Sequence, residues 1–282
     1  MLQNDFLIQF NKFANLHDGQ KIIFSKTDYI LQAFNDIKNL NNDVVLITGN
    51  SDYCIFYKND SFVIKDLSEN VLAVFKKEKI PYNLKYWFTV NNCTNIDFIK
   101  SLPMGIENDF HCKLIGHGHG WEHAKEKKEI LLKNFSNKNF HLIDKNIYFN
   151  TSINTNYKIR HSMKEFCLNN NIYVETEQLS FINFFQKSQQ FRAILCPLGN
   201  GFDTHRFYET LLMNRVPIII RYNDYKIYDD IYKLFPCIIL EKIDDILTES
   251  IQKKIDIILN KNLNEFNNFE YWRNFILKHI NF

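Results

Sequence analysis

Glycine (8) and proline (5) are scarce in a chain of 282 residues, and no tract of low complexity interrupts it. Collagen-like and disordered chains have the opposite composition, so both are excluded. No apolar run approaches the 18 residues that a spanning helix needs, and Met1 to Phe6 carries no basic segment leading into an apolar core. A soluble, cytoplasmic protein is therefore expected. The six cysteines lie far apart with no CxxC pair, and a chain of this length does not need disulfide staples, so they read as reduced thiols. Charge of one sign is also missing. The 34 basic and 32 acidic side chains nearly cancel to +2, which gives no field strong enough to argue for a nucleic-acid backbone, and no nucleic-acid partner is expected.

What is present is an apolar content of 45%, with 26 Phe and 14 Tyr. That is enough to bury one large core or two of ordinary domain size. Strand-like and helix-like patterns alternate, as in a parallel sheet covered by helices. Lys21–Ser25 and Asp43–Thr48 read as buried strands. Between them Tyr29, Ile30, Ala33, Phe34 and Ile37 recur at helical spacing. Cys54–Ile64 reads as a hairpin and Tyr86–Val90 as a strand. A helix is expected over Ser68–Lys79, capped by Ser68, with Val71, Leu72, Val74 and Phe75 on its apolar face. The stretch from Ser101 to His123 holds Pro103, four of the eight glycines and four of the nine histidines, with little periodicity, and reads as a connection between two units. Strands then alternate with helices again: strands at Asn146–Asn150, Ile172–Glu175, Arg192–Pro197, Pro217–Arg221 and Cys237–Leu240, helices at Tyr157–Leu168, Phe181–Gln186 and Arg206–Met213, and closing helices near Asp244–Leu259 and Asn264–His279. The fold class is α/β. The units expected are 1–110, a connector 111–126, and 127–282.

The most informative segment is Phe191 to Arg221. A buried strand ends at Pro197, and the chain passes through Leu198-Gly199-Asn200-Gly201-Phe202-Asp203-Thr204 into a helix at His205. Ligands of open α/β sheets bind beyond the carboxyl ends of strands, where such loops sit. Gly199 and Gly201 let backbone approach an anion, and Asp203 or Thr204 can cap the helix. Arg206 in the first turn opposes the helix dipole unless an anion arrives, which makes it a diphosphate partner. Glu209 is close to the same face and can accept from ribose hydroxyls. A plain βα turn shaped by two glycines explains the loop alone equally well.

The whole stretch is more specific. Pro197, Gly199, Gly201, Asp203, Thr204, His205, Arg206, Glu209 and Pro217 follow the donor-nucleotide pattern of the exostosin-like glycosyltransferases, which the chain resembles from about Trp87 onward. Leu102–Glu107, Asn150–Arg160, Pro236–Leu240 and Tyr271–Arg273 echo further parts of that family. Asn214-Arg215 stands where the family often has a Gly-Cys or another small pair, which puts the packing of helix on strand at issue. The resemblance implies a GT-B architecture, with two Rossmann-like doubly wound units facing across a cleft. It implies transfer of a sugar from a nucleotide-sugar donor to a glycan or lipid-linked glycan acceptor, without metal or other cofactor, and a lipid-linked acceptor would bring the protein to the inner face of a membrane. Donor-binding residues carried over are Arg160, Gly199, Asn200, Gly201, Asp203, Thr204, His205, Arg206 and Glu209. A base for the acceptor hydroxyl is expected from Asp52, at the end of a strand, or Glu107, at the connection. Two other readings stand beside this one. A non-catalytic nucleotide- or glycan-binding module would share the fold, and a zinc-binding protein would use His111, Cys112, His117, His119 and His123, although their spacing fits no standard finger. Trp121 can stack on a sugar ring or simply pack.

Overall fold

A computed structural model describes residues 6–112, 114, 120–134, 143, 145–262 and 267–280. In chain order the first half runs β1 (Ile22–Lys26), α1 (Ile30–Lys38), β2 (Val44–Gly49), β3 (Cys54–Lys58), β4 (Ser61–Lys65), β5 (Val71–Lys76), β6 (Leu84–Thr89), β7 (Asn92–Cys93) and β8 (Ile99–Ser101). The second half runs α2 (Glu122–Asn134), β9 (Lys145–Phe149), α3 (Tyr157–Asn169), β10 (Tyr173–Val174), α4 (Phe181–Ser188), β11 (Phe191–Leu195), α5 (His205–Leu212), β12 (Val216–Ile220), α6 (Lys226–Asp230), β13 (Ile238–Leu240), α7 (Ser250–Leu259) and α8 (Phe269–Leu277).

Two parallel sheets organise the chain, as the alternating pattern requires. β1-β2-β6-β8 are parallel throughout, and so are β10-β9-β11-β12-β13. Alternation in β2 sends Val44 and Leu46 to one face and Val45 and Ile47 to the other. The first pair packs with Ile30, Ala33, Phe34 and Ile37 of α1 and with Phe62, Ile64 and Phe75. The second joins a larger cluster that runs through both halves, from Phe10, Phe13 and Phe24 to Tyr208, Ile218 and Trp272. The two halves therefore share a core. The last helix contributes to the same union: Phe269 packs on Phe13 at 5.0 Å and Phe275 on Phe88 at 5.7 Å between ring centroids.

One expected helix is a strand. Residues 71–76 form β5, antiparallel to β4 with Phe62 opposite Phe75 and Val63 opposite Val74, in a sheet ordered β5-β4-β3-β7. Ser68 does not cap a helix because Asp66 captures the turn first: its Oδ1 accepts from the backbone N–H of Ser68 and of Asn70, both at 2.9 Å. β-branched Val71 and Val74 then extend with Ala73 and Phe75 turned inward. The Cys54–Ile64 hairpin is present as β3 and β4. The expected limit at residue 126 falls inside α2, which starts at Glu122 and packs against α4 and α5. The run 125–133 is helical as expected, but not wholly solvated. Ala124 and Leu131 are buried, and Lys127 and Lys128 turn inward to acids.

The unusual Asn214-Arg215 pair completes the turn after α5. Asn214 takes the left-handed conformation (φ 54°) that glycine would otherwise supply, and its side-chain type tolerates it. The buried Arg215 guanidinium donates to the carbonyls of Met213, Asn214 and Gln189 and to the Gln189 side chain. It thereby satisfies carbonyls at the ends of α4 and α5, where a cation also suits the helix dipole. Burial pushes the Arg215 pKa down to about 10.

Candidate functional site

The loop after β11 meets the first half along the segment 102–109. Asp203 is the anchor. It is 2% exposed, and its Oδ2 accepts from the Met104 N–H at 2.7 Å and the Tyr208 hydroxyl at 2.6 Å. Its Oδ1 accepts from the Tyr232 hydroxyl at 3.1 Å and the Thr204 N–H at 3.0 Å. Burial raises its pKa, against the lowering by those hydrogen bonds. Asn91, held at φ 57° after β6, accepts the Asp203 N–H on its side-chain oxygen at 2.7 Å. Gly201 is needed here, since a Cβ would overlap the Asn91 amide. The close approach expected of Gly201 is thus made to Asn91 rather than left open to an anion. Asp203 likewise holds the loop and turns no oxygen outward. Thr204 occupies the N-cap of α5, but neither it nor Asp203 makes a side-chain capping bond to the helix.

Two guanidinium groups converge on the other side of that loop. Arg160 of α3 donates from Nε to the Leu198 carbonyl at 2.7 Å and from Nη1 to the Ser152 carbonyl at 2.9 Å. Its Nη2 lies beside Gly199, 3.6 Å from where a Cβ would stand. Among the described residues Arg160 pairs with no carboxylate, and burial, then the neighbouring Arg206 charge, pushes its pKa down to about 10. Asn156, at φ 49°, fixes the loop from α3 by donating to the Gly199 carbonyl at 2.8 Å. The Arg206 guanidinium stacks 3.7 Å over the Phe184 ring, donates to the Asn150 carbonyl at 3.2 Å and lies 3.4 Å from Glu209 Oε2.

Glu209, with 5% of its side chain exposed, also faces Lys127 at 3.6 Å. Lys127 in turn donates to Glu107 Oε2 at 2.7 Å, which His123 Nε2 approaches at 3.2 Å. The series Arg206, Glu209, Lys127, Glu107 therefore ties α5 through α2 to the 102–109 segment. Burial opposes charge on Lys127, but Glu209 and Glu107 together raise its pKa. Burial opposes charge on Glu107 too, and Lys127, then His205 and His123, outweigh it and hold the carboxyl below its usual range.

On the first-half side a cavity of about 400 Å³ opens beside the loop, lined by Asn50, Asp52, Tyr53, Met104, Trp121 and His205 among others. Asp52 thus lies where its position after β2 implies, and its Oδ2 accepts from Asn200 at 3.2 Å. Trp121 is 56% exposed at the cavity. Glu107 is absent from that lining. His205 Nδ1 lies 2.7 Å from the Gly105 carbonyl. Of the expected residues, Arg160, Gly199 and Arg206 meet on the side of the loop away from the cavity, Asp203 and Gly201 pack within it, Asp52, Asn200 and His205 lie at its first-half edge, Thr204 is the N-cap of α5, and Glu107 and Glu209 both face Lys127. Asn91, Lys127 and Tyr232 escape the sequence reading, because their roles depend on contacts far along the chain, and Tyr208 escapes it as one aromatic among many in an apolar helix face.

His123 joins Glu107, and His111 Nδ1 accepts the Gly120 N–H at 3.3 Å. His117 and His119 lie outside the described residues. Among the described residues no group of three or more His, Cys, Asp or Glu could hold a metal ion, and no helix is long and apolar enough to cross a membrane. Against the models of known protein families, and against curated proteins, the chain gives no match.

Proposed function

We propose that the protein is a glycosyltransferase that moves a sugar from a nucleoside-diphosphate sugar to a glycan or lipid-linked glycan. The observation that carries this reading is the Arg160 guanidinium, half-buried beside Arg206 at the carboxyl ends of β9 and β11, with only carbonyls as hydrogen-bond partners among the described residues. Two like charges so placed repel each other, and a dianionic group between them removes the penalty. A diphosphate at a βα loop, next to an uncapped helix start, fits that need. Its leaving-group charge would be stabilised by fixed donors already in place, and this chemistry works without a metal.

In this reading the halves form the GT-B arrangement, with the donor on the second-half loop and the acceptor in the cavity of the first half. Glu209 is the ribose partner, and binding requires its link to Lys127 to loosen or share. The resemblance to exostosin-like enzymes in Pro197–Pro217 points the same way. Thermal unfolding with a panel of nucleoside diphosphates and their sugars tests the reading. A ligand at about 100 times its dissociation constant adds roughly 2.7 kcal/mol. A selective rise is expected with one base, unaffected by chelator, and lost in Arg160→Ala.

A further inference from the structure

Gly105 sits at φ 74°, and a Cβ there would overlap the Ile8 carbonyl oxygen. Ile8 and Gly105 are pinned together by the Ile106 N–H, which donates to that same carbonyl at 3.0 Å, and by the bridge between Gln9 and Gly105. The Gly105 carbonyl is therefore a fixed acceptor, and it points at His205 Nδ1 from 2.7 Å. A carbonyl cannot donate, so Nδ1 carries the proton. In the neutral ring Nε2 then keeps its lone pair. It makes no hydrogen bond to the described residues, and His205 lines the cavity beside Asp52.

We infer that His205 is the general base of the reaction, a role that rests on the glycosyltransferase reading and replaces Asp52 and Glu107 in it. His205 follows the loop on which the diphosphate would sit and faces the cavity in which the acceptor would lie. In the step, the acceptor hydroxyl gives its proton to Nε2. Its oxygen forms a bond to the anomeric carbon as the carbon–oxygen bond to the diphosphate breaks, and that electron pair leaves on the nucleoside diphosphate. A single displacement of this kind inverts the anomeric configuration. The imidazolium that forms interacts with the carboxyl groups of Glu107 from the 102–109 segment and Asp203 from its own loop, and Asp52 lines the same cavity. Arg206, Lys127 and His123 are the neighbouring basic groups. Glu107 is itself a poor base here, being bound to Lys127 and His123 and outside the cavity lining. Imidazole is the better matched acceptor near neutral pH.

The test compares His205→Gln and Asp52→Asn with the unaltered protein in three measurements: the nucleotide-induced thermal shift, sugar transfer with the product anomer determined, and ¹⁵N NMR of the histidine ring. His205→Gln is expected to keep the thermal shift and lose transfer by about 100-fold or more, the usual worth of a positioned base. Asp52→Asn is expected to lose much less. The neutral His205 ring is expected as the Nδ1–H tautomer. Transfer retained by His205→Gln, a product of retained configuration, or an Nε2–H tautomer would each overturn the inference while leaving the enzyme reading intact. Absence of both nucleotide binding and transfer in the unaltered protein would remove the reading, and the base with it.

Discussion

Replacing Asp203 by alanine is the most searching single change for the loop. The carboxyl takes four hydrogen bonds, from Met104 N–H, Thr204 N–H and the Tyr208 and Tyr232 hydroxyls. Alanine leaves the Met104 and Thr204 N–H groups and the buried Tyr208 hydroxyl facing a small void, while the Tyr232 hydroxyl keeps the Phe202 carbonyl at 3.1 Å. Each stranded buried group costs about 1–3 kcal/mol, and water entering the void offsets part of the sum. A net loss of about 3–5 kcal/mol is expected, at the upper end for point substitutions. Asp203→Asn keeps the shape and should lose about half as much. The assay is urea unfolding at several pH values. Burial raises the folded pKa of Asp203, so the unfolded chain releases this proton first as pH rises. The contribution of Asp203 is therefore full below the ordinary carboxylate range and falls as pH climbs through its raised value. The advantage of the native residue over Asp203→Asn should shrink over that interval. A loss below about 1 kcal/mol for the alanine variant, against that range, or an advantage that grows with pH, would refute the reasoning.

Other expectations follow from the same contacts. Lys127→Met should cost about 3–5 kcal/mol in chemical denaturation, because it leaves the buried Glu209 and half-buried Glu107 carboxylates without their shared cation. That difference should narrow as pH falls through the depressed Glu107 value, since the pair is lost once that carboxyl takes a proton. Arg215→Met should cost about 2–4 kcal/mol by stranding carbonyls of Gln189, Met213 and Asn214. Asn214→Gly should change stability by less than about 1 kcal/mol, because glycine meets the same left-handed requirement; equal losses at 214 and 215 would contradict the assignment.

Strands that are buried runs and helices with an apolar stripe were legible from residues alone: β1, β2, β9, β11, β12, α1, α3 and α5 fall within a residue or two of expectation. The β11-loop-α5 segment was legible for the further reason that its glycines, acid and arginine fall within eight residues, from Gly199 to Arg206. β5 was not, because Val71, Leu72, Val74 and Phe75 fit a helical stripe as well as a half-buried strand, and only pairing to β4 decides between them. β7, β8 and α6 are too short to carry a period. Lys127 sits in a charged run that reads as solvated, and its burial follows from Glu107 and Glu209, 20 residues before it and 82 residues after. The two glycines of the loop looked alike in sequence, yet Gly199 lies beside Arg160 and Gly201 against Asn91. Position in a motif did not separate the glycine beside the Arg160 guanidinium from the one that packs the loop against Asn91.

The central claim is that the Arg160–Arg206 pair receives a nucleoside diphosphate. Calorimetric titration of the unaltered protein, Arg160→Ala and Arg206→Ala with nucleoside diphosphates measures this most directly. Selective binding to one base is expected, weakened by about 10-fold or more in each variant, as loss of a charge-assisted contact of about 1.5–3 kcal/mol requires. No binding by the unaltered protein, or the same affinity in both variants, would contradict it.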